Sequence, residues 1–202
     1  MLETKIISAM EKCFLDQTPA DFPVLERIRM YKNERATVQF AVYDPDESDN
    51  CCHLVEVKVY GTLAKYATMH TVENIVNYAP SFTTPKRTRE LDPTFLRTEP
   101  GLYPDVLAHP MNGSCMPLVN QQLHTAYIDF EGDDLEPGVY PTEIAVVSGN
   151  TVLQRAFVEI TVMDALLPAQ DTRITNWFYA DCLADYYNVP AWSDRHFEIC
   201  EN

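Results

Sequence analysis

The chain has 202 residues, a formal net charge of -15 and a sequence pI of about 4.6. Such an acidic surface repels phosphate backbones and anionic lipid headgroups, which argues against nucleic acid and membranes as partners. No apolar run approaches the ~20 residues of a membrane-spanning helix, and the first residues lack the basic and apolar regions of a secretion signal. We therefore expect a cytoplasmic protein, with an extracellular location left open.

Short runs with the alternation of β-strands follow one another along the chain. Val55, Val57 and Val59 alternate with charged residues, and Ala156 to Val162 repeats the pattern. Less regular strands are predicted at Thr4–Phe14, Val24–Tyr31, Thr37–Tyr43, Thr68–Tyr78, Leu123–Phe130 and Tyr140–Val147. Ser148-Gly149-Asn150 joins two strand patterns closely enough for a hairpin. About eight strands with no long helix among them predict an all-β fold, an immunoglobulin-like sandwich of two sheets.

The region from Ala79 to Leu118 is rich in proline and has no sustained period. We read it as a long ordered excursion from the sandwich, because its aromatic and apolar side chains favour order. Long loops in compact domains tend to be functional. Within this region, Asn112-Gly113 is a strong turn signal.

The cysteine and acidic residues show no pattern of a metal or redox site. The six cysteines include no C-x-x-C pair, so the spacing that zinc sites and redox motifs need is missing. The adjacent acids Asp46-Glu47 and Asp133-Asp134 lie in turn-like sequences, where acidic residues are expected on local grounds. We therefore predict no metal, no cofactor and reduced thiols.

The last segment, Ile174 to Asn202, has a different organisation. A short β-prone run is followed by a turn region rich in Asp and Tyr and then by a helix that starts at Ser193. Ser193 is a good N-cap, and Asp194 suits the first turn. A strand followed by a helix is one βα unit, and a parallel strand needs a partner. The segment therefore predicts the beginning of a larger α/β domain whose remainder is absent.

The run NWFYADCLADYYNVPAWSDRHFEICEN, residues 176–202, resembles the start of the catalytic barrel of glycoside hydrolase family 123, the β-N-acetylgalactosaminidase family. Three upstream runs resemble the domain before that barrel: NERATVQFAVY, PGLYPDVL, and PGVYPTEIAV with the later VMDALLP. The resemblance implies a β-sandwich domain at residues 1–166. It implies a linker and the first strand and helix of a TIM-type (β/α)8 barrel at residues 167–202.

The chemistry of that family resides in the barrel. It is similar to substrate-assisted hydrolysis, in which the acetamido oxygen of the sugar attacks and an adjacent Asp-Glu pair assists. The resemblance places that pair on a later barrel strand, outside these residues. It therefore implies that this chain has no catalytic residue and is not an enzyme by itself. The implied role is to pack against the missing barrel and support it, within a hydrolase of N-acetylhexosaminides.

Three residues are candidates for substrate binding in the whole protein: Trp177, Tyr179 and Asp181. They lie at and just after the first barrel-like strand, and the active sites of such barrels lie at the carboxyl ends of the strands. An aromatic ring stacks on a sugar face, and a carboxylate accepts hydrogen bonds from hydroxyls. The alternative is that Trp177 is barrel core and Asp181 caps a turn. The family more often has His at the position of Tyr179.

A contact with the missing barrel is predicted at Leu102, Tyr103 and Asp105, because their turn belongs to the family pattern. Two further functions stay open. A carbohydrate-binding module would show exposed aromatic side chains in a row on one sheet face, for which Tyr60, Tyr66 and Tyr78 are candidates. A stand-alone interaction domain would form homo-oligomers through residues 174–200, whose aromatic side chains need a partner surface.

Overall fold

The computed structural model divides into two compact units, Met1–Leu167 and Pro168–Asn202. The larger unit is almost entirely β-structure, and the smaller one contains two short helices. The structure describes residues 1–47, 52–78, 96–132, 135–169, 171 and 179–201.

The described residues of the larger unit form two five-stranded sheets. The first sheet has the strand order β1-β3-β8-β5-β6 and the second has the order β2-β10-β9-β4-β7. All neighbouring strands are antiparallel except β2, which runs parallel to β10. The predicted all-β, two-sheet fold is thus confirmed. The strands are β1 (Glu3–Ser8), β2 (Arg27–Tyr31), β3 (Arg35–Tyr43), β4 (Cys52–Tyr60), β5 (Ala67–Asn77), β6 (Gly101–Ala108), β7 (Cys115–Val119), β8 (Leu123–Glu131), β9 (Gly138–Ser148) and β10 (Thr151–Met163).

The hydrophobic core lies between the two sheets. Successive side chains of a strand point to opposite faces, so the alternating apolar residues of both sheets meet in one layer. Phe40, Ile128 and Phe130 of the first sheet are completely buried, as are Ile144 and Ile160 of the second. Burial stabilises by about 25 cal/mol per Å² of apolar surface, so this layer is the main source of stability.

Two strands, β6 and β7, begin in the region that we predicted to be a long excursion from the sandwich. For the described residues of that region, the prediction was wrong. Both are edge strands of the sandwich. Pro104 lies in β6 and Pro117 in β7; an edge strand tolerates proline because one side of it needs no hydrogen-bond donor. Asp105 of β6 is skipped in the register with β5, as in a β-bulge. This extra residue interrupts the alternation of side chains between the two faces of the strand.

The predicted hairpin between β9 and β10 is confirmed. Ser148 pairs with Thr151, and Gly149 lies in the left-handed region with φ 57°. The turn predicted at Asn112-Gly113 is also present, and both residues have positive φ, 51° and 79°. Asn and Gly are the residues that adopt this conformation most readily.

The predicted strand Thr4–Phe14 ends at Ser8. The chain then covers part of the outer face of the first sheet before it reaches β2. A second apolar cluster forms there, made of Ile7, Cys13, Phe22, Ala41 and Leu123. These side chains explain why the apolar pattern continues beyond the strand.

Gly132, directly after β8, is expected to tolerate no side chain. A Cβ atom there would lie 2.6 Å from the carbonyl oxygen of Lys32 and 2.9 Å from that of Glu34. Such overpacking costs roughly 1–3 kcal/mol. Gly132→Ala should therefore lower the urea midpoint of unfolding, whereas Gly101→Ala, where nothing lies within 4 Å, should change it little. Equal midpoints for the two variants would contradict the close contact.

The smaller unit contains α1 (Ala180–Tyr187) and α2 (Asp194–Glu201). The predicted helix start is confirmed, since the backbone N–H of His196 donates to the Ser193 hydroxyl at 3.2 Å. We predicted a turn where α1 lies, and that prediction was wrong. The C-cap of α1 is Asn188, whose left-handed φ of 52° closes the helix. Of the predicted strand at residues 174–179, only Tyr179 is described. No helix within the described ranges is long and apolar enough to cross a membrane.

Candidate functional site

The three predicted substrate-binding residues come from the start of the smaller unit. Trp177 lies outside the described residues. Tyr179 is the N-cap residue of α1 and is 82% exposed. Asp181 lies in the first turn of the same helix and is exposed. An exposed ring and an exposed carboxylate are thus two residues apart, a combination that suits contact with a sugar.

His196 fixes the position of this helix start. It is completely buried, and its Nε2 lies 2.7 Å from the carbonyl oxygen of Ala180. Its Nδ1 accepts a hydrogen bond of 2.9 Å from the backbone N–H of Trp192. Because Nδ1 is an acceptor, Nε2 carries the proton and donates to Ala180. His196 therefore joins α2, the preceding turn and the first residue of α1, a role that its sequence context did not reveal.

Trp192 has a backbone conformation that is rare for a large side chain, with φ 63°. Its ring is 67% exposed and lies 6.1 Å from the ring of Phe197. The rings of Tyr186 and Tyr187 form an edge-to-face pair at 5.0 Å. The smaller unit thus presents aromatic side chains that are half exposed or more, namely Tyr179, Tyr186, Tyr187, Trp192 and Phe197.

The predicted interdomain residues lie on β6, but they differ in their surroundings. Leu102 is 47% exposed. Tyr103 packs edge-to-face on Phe14 at 5.6 Å and donates its hydroxyl to the carbonyl oxygen of Glu99. Asp105 accepts a hydrogen bond of 2.9 Å from Lys12. Leu102 is therefore available for an external contact, whereas Tyr103 and Asp105 hold β6 to the preceding parts of the sandwich.

The tyrosines considered for a carbohydrate-binding row do not lie on one face. Tyr60 ends β4 in the second sheet, and Tyr78 follows β5 of the first sheet. Tyr66 packs against the core. These three residues therefore form no row.

Two described carboxyl groups of the sandwich, those of Asp16 and Glu99, have pKa values below their ordinary range. Among the described residues, no group of three His, Cys, Asp or Glu side chains could hold a metal ion. A hydrogen bond from Arg97 lowers the pKa of Asp16, and one from the Thr98 hydroxyl lowers that of Glu99. A glycosidase acid needs a raised pKa so that it stays protonated. These two carboxyl groups are therefore unsuited to that role.

Cys13 lies beneath the segment that covers the first sheet. Burial, assisted by the negative charge of Glu11, raises the pKa of its thiol to about 12. Only the thiolate is reactive, so the thiol is inert in the folded protein. The unfolded chain loses this proton near pH 9.0, while the folded chain keeps it. The contribution to stability is therefore complete below pH 9 and falls as the pH rises towards 12.

We expect iodoacetamide at pH 9 to modify Cys52, which is exposed, and to spare Cys13 until the chain unfolds. The free energy of unfolding should also fall more steeply above pH 9 in the unmodified chain than in Cys13→Ala. Mass spectrometry of the alkylated peptides and urea titrations at pH 8 and 10 measure the two effects. Equal alkylation rates for Cys13 and Cys52 would contradict the buried thiol.

The fold and these residues define a two-sheet β-sandwich protein with a small helical unit that bears exposed aromatic side chains. No protein-family model matches the sequence, and no curated protein matches it significantly. Among solved structures, the chain is similar to a family 123 glycoside hydrolase from Clostridium perfringens, described in work on glycolipid glycan hydrolysis. The TM-score is 0.71 and the identity 12%, over 98% of this chain and 34% of that chain.

Two other structures are matched more weakly. The N-terminal domain of PorA has a TM-score of 0.34 and 8% identity, over 79% of this chain and 97% of that chain. A PapD-like domain of human CEP192 has a TM-score of 0.31 and 9% identity, over 82% and 87%. At 12% identity, the hydrolase match establishes the fold alone, and this chain spans about a third of the length of that protein.

Proposed function

We propose that this chain is the amino-terminal, non-catalytic part of a protein similar to family 123 glycoside hydrolases. Its sandwich packs against a catalytic (β/α)8 barrel, and residues 167–202 contribute the first strand and helix of that barrel. The observation that carries the proposal is the hydrolase match, which spans 98% of this chain but 34% of the relative. The likeness of residues 176–202 to the start of the family's barrel supports the same assignment. Tyr179 and Asp181 would then contact the sugar, together with Trp177.

A ribbon formed by β5 and β6 is the surface that we propose for the barrel contact. β8 pairs with β5 only from Ala67 to Thr71, and beyond Thr71 the described partner of β5 is β6 alone. A two-stranded ribbon is marginally stable in water. On the ribbon face that carries Leu102, the half-exposed side chains of Val76, Leu102 and Leu107 are available for a partner surface, whereas Ile75 and Val106 lie on the opposite face.

The experiment compares the 202-residue chain with the product of the complete reading frame. An aryl N-acetylgalactosaminide should be hydrolysed by the complete protein and not by the 202-residue chain. Leu102→Asp should lower the thermal midpoint of the complete protein, because it places a charge in the proposed contact. Val24→Asp is the control, since Val24 is similarly exposed, at 57% against 47% for Leu102. Hydrolysis by the short chain, or equal midpoints for both variants, would overturn the proposal.

A second candidate is an oligomerisation domain that uses residues 174–200. The five exposed aromatic side chains of the smaller unit favour it, since large exposed apolar patches usually mark interaction sites. Sedimentation velocity of the 202-residue chain distinguishes the two candidates. A dimer that dissociates on Trp192→Ser would support oligomerisation, whereas a monomer at all concentrations would exclude it.

A further inference from the structure

The outer face of the second sheet carries two exposed aromatic rings in one row. Phe157 of β10 is 64% exposed, and Tyr60 of β4 is 40% exposed. Both are register partners of Glu143 on β9, the strand between them. Neighbouring strands lie about 4.8 Å apart, so the two rings start from backbone positions roughly 10 Å apart. The rings therefore flank a carboxylate on the outer face of the sheet.

A shallow pocket lies beside Phe157. Its volume is about 280 Å³, and Arg27, Pro141, Phe157 and Glu159 are among its lining residues. Pockets for drug-sized ligands have volumes of roughly 300–1,000 Å³, so this one suits a single ring. It offers an aromatic wall together with a guanidinium donor and a carboxylate acceptor.

Six charges on this face form ion pairs: Arg155 lies 3.2 Å from Glu143, Arg27 lies 3.6 Å from Glu159, and Lys58 lies 2.6 Å from Glu56. Exposed Arg29 follows Arg27 on the same face of β2, and Glu26 lines the pocket. Four bases and four acids keep the face close to neutral, although the chain as a whole carries a charge of -15. Exposed ion pairs are weak, so their donors and acceptors can be shared with a ligand. The face therefore matches a neutral ligand that is rich in hydroxyl groups.

We propose that this face binds a neutral oligosaccharide. Phe157 stacks on the apolar side of one sugar ring in the pocket, and Tyr60 contacts a second sugar across Glu143. Glu143, Arg155 and Glu159 exchange hydrogen bonds with the hydroxyls. A protein partner fits this surface less well, because the cores of protein interfaces are depleted in charge, and charged side chains surround these two rings.

The test uses the 202-residue chain in native gels that contain xylan, galactan or glucomannan, followed by titration calorimetry with the oligosaccharide of the retarding polymer. We expect at least one polymer to retard the chain. Phe157→Ala should weaken binding at least tenfold, Phe157→Tyr should restore it, and Glu143→Gln should weaken it. Tyr78→Ala is the matched control, because Tyr78 is 82% exposed but follows a strand of the first sheet.

Retardation by none of the three polymers would overturn the proposal. So would a Phe157→Ala variant that binds as tightly as the unmodified chain, or equal losses in Phe157→Ala and Tyr78→Ala. Phe157 is exposed, so its replacement should leave the fold intact, and circular dichroism verifies this. The proposed glycan site does not depend on the proposed contact with a barrel. If the short chain binds no glycan, the proposed function is unaffected; if the complete protein does not hydrolyse its substrate, the glycan site is unaffected.

Discussion

Phe40→Ala is expected to lower the free energy of unfolding by about 3–5 kcal/mol. Phe40 lies in β3, the strand between β1 and β8, where its register partners are Ile6 and Ala126. It is completely buried in the layer between the sheets. Alanine removes the ring and leaves a cavity that neighbouring strands cannot close. Since domains of this size are stable by about 5–15 kcal/mol, the loss is a large share of the total.

Urea titration followed by far-UV circular dichroism measures this loss. Tryptophan fluorescence would not measure the loss in the sandwich, because both tryptophans, Trp177 and Trp192, belong to the smaller unit. Phe157→Ala is the matched control: it removes the same side chain from an exposed position and should change stability by no more than about 0.5 kcal/mol. Similar losses in the two variants would mean that Phe40 does not lie in the core.

Gln39→Ala is expected to cost about 1–3 kcal/mol, because it removes the side-chain donor from the partly buried carbonyl groups of Ser8 and Glu11, of which the Ser8 oxygen also accepts from the backbone N–H of Glu11. Gln39 is 3% exposed. Its Nε2 donates to the carbonyl oxygens of Ser8 and Glu11, at 3.1 Å and 2.7 Å. Its Oε1 lies 3.8 Å from the thiol sulfur of Cys13. One side chain thus holds the segment after β1 against the outer face of the first sheet.

Gln39→Glu sharpens this prediction. It keeps the shape of the side chain but replaces the donor by a second acceptor, which would face carbonyl oxygens. It should therefore destabilise at least as much as Gln39→Ala at pH 7. Gln154→Ala is the control, because Gln154 is only partly buried; its amide donates to the carbonyl oxygen of Leu2 and accepts from the adjacent backbone N–H of Arg155. A Gln39→Glu variant as stable as the unmodified chain would contradict the hydrogen-bond arrangement.

The sequence predicted the sandwich because two inner strands of the second sheet, β4 and β10, alternate regularly. In β4 and β10, alternate apolar residues such as Val57 and Val158 are buried, so the pattern reports the structure directly. The edge strands β6 and β7 were missed for the opposite reason. Each contains proline, β6 also contains a bulge, and neither alternates clearly between buried and exposed residues. Their place in a sheet depends on partners distant in the chain.

The candidate sites were less predictable. The row of Phe157, Glu143 and Tyr60 depends on the registers of two strand pairs, and one of them, β4 with β9, joins residues far apart in sequence. No local pattern encodes such a row. His196 has a sequence context typical of an exposed helix start, yet it is completely buried. Its role depends on a carbonyl group sixteen residues earlier, at Ala180.

The most direct test of the proposed function is the natural reading frame after the codon for Asn202. We predict that the frame continues for about 250 residues or more, the length of a (β/α)8 barrel. We further predict an adjacent Asp-Glu pair at the end of a later strand and hydrolysis of an aryl N-acetylgalactosaminide by the complete product. A natural stop codon directly after Asn202 would contradict the proposed function, and the sandwich would then act without a barrel.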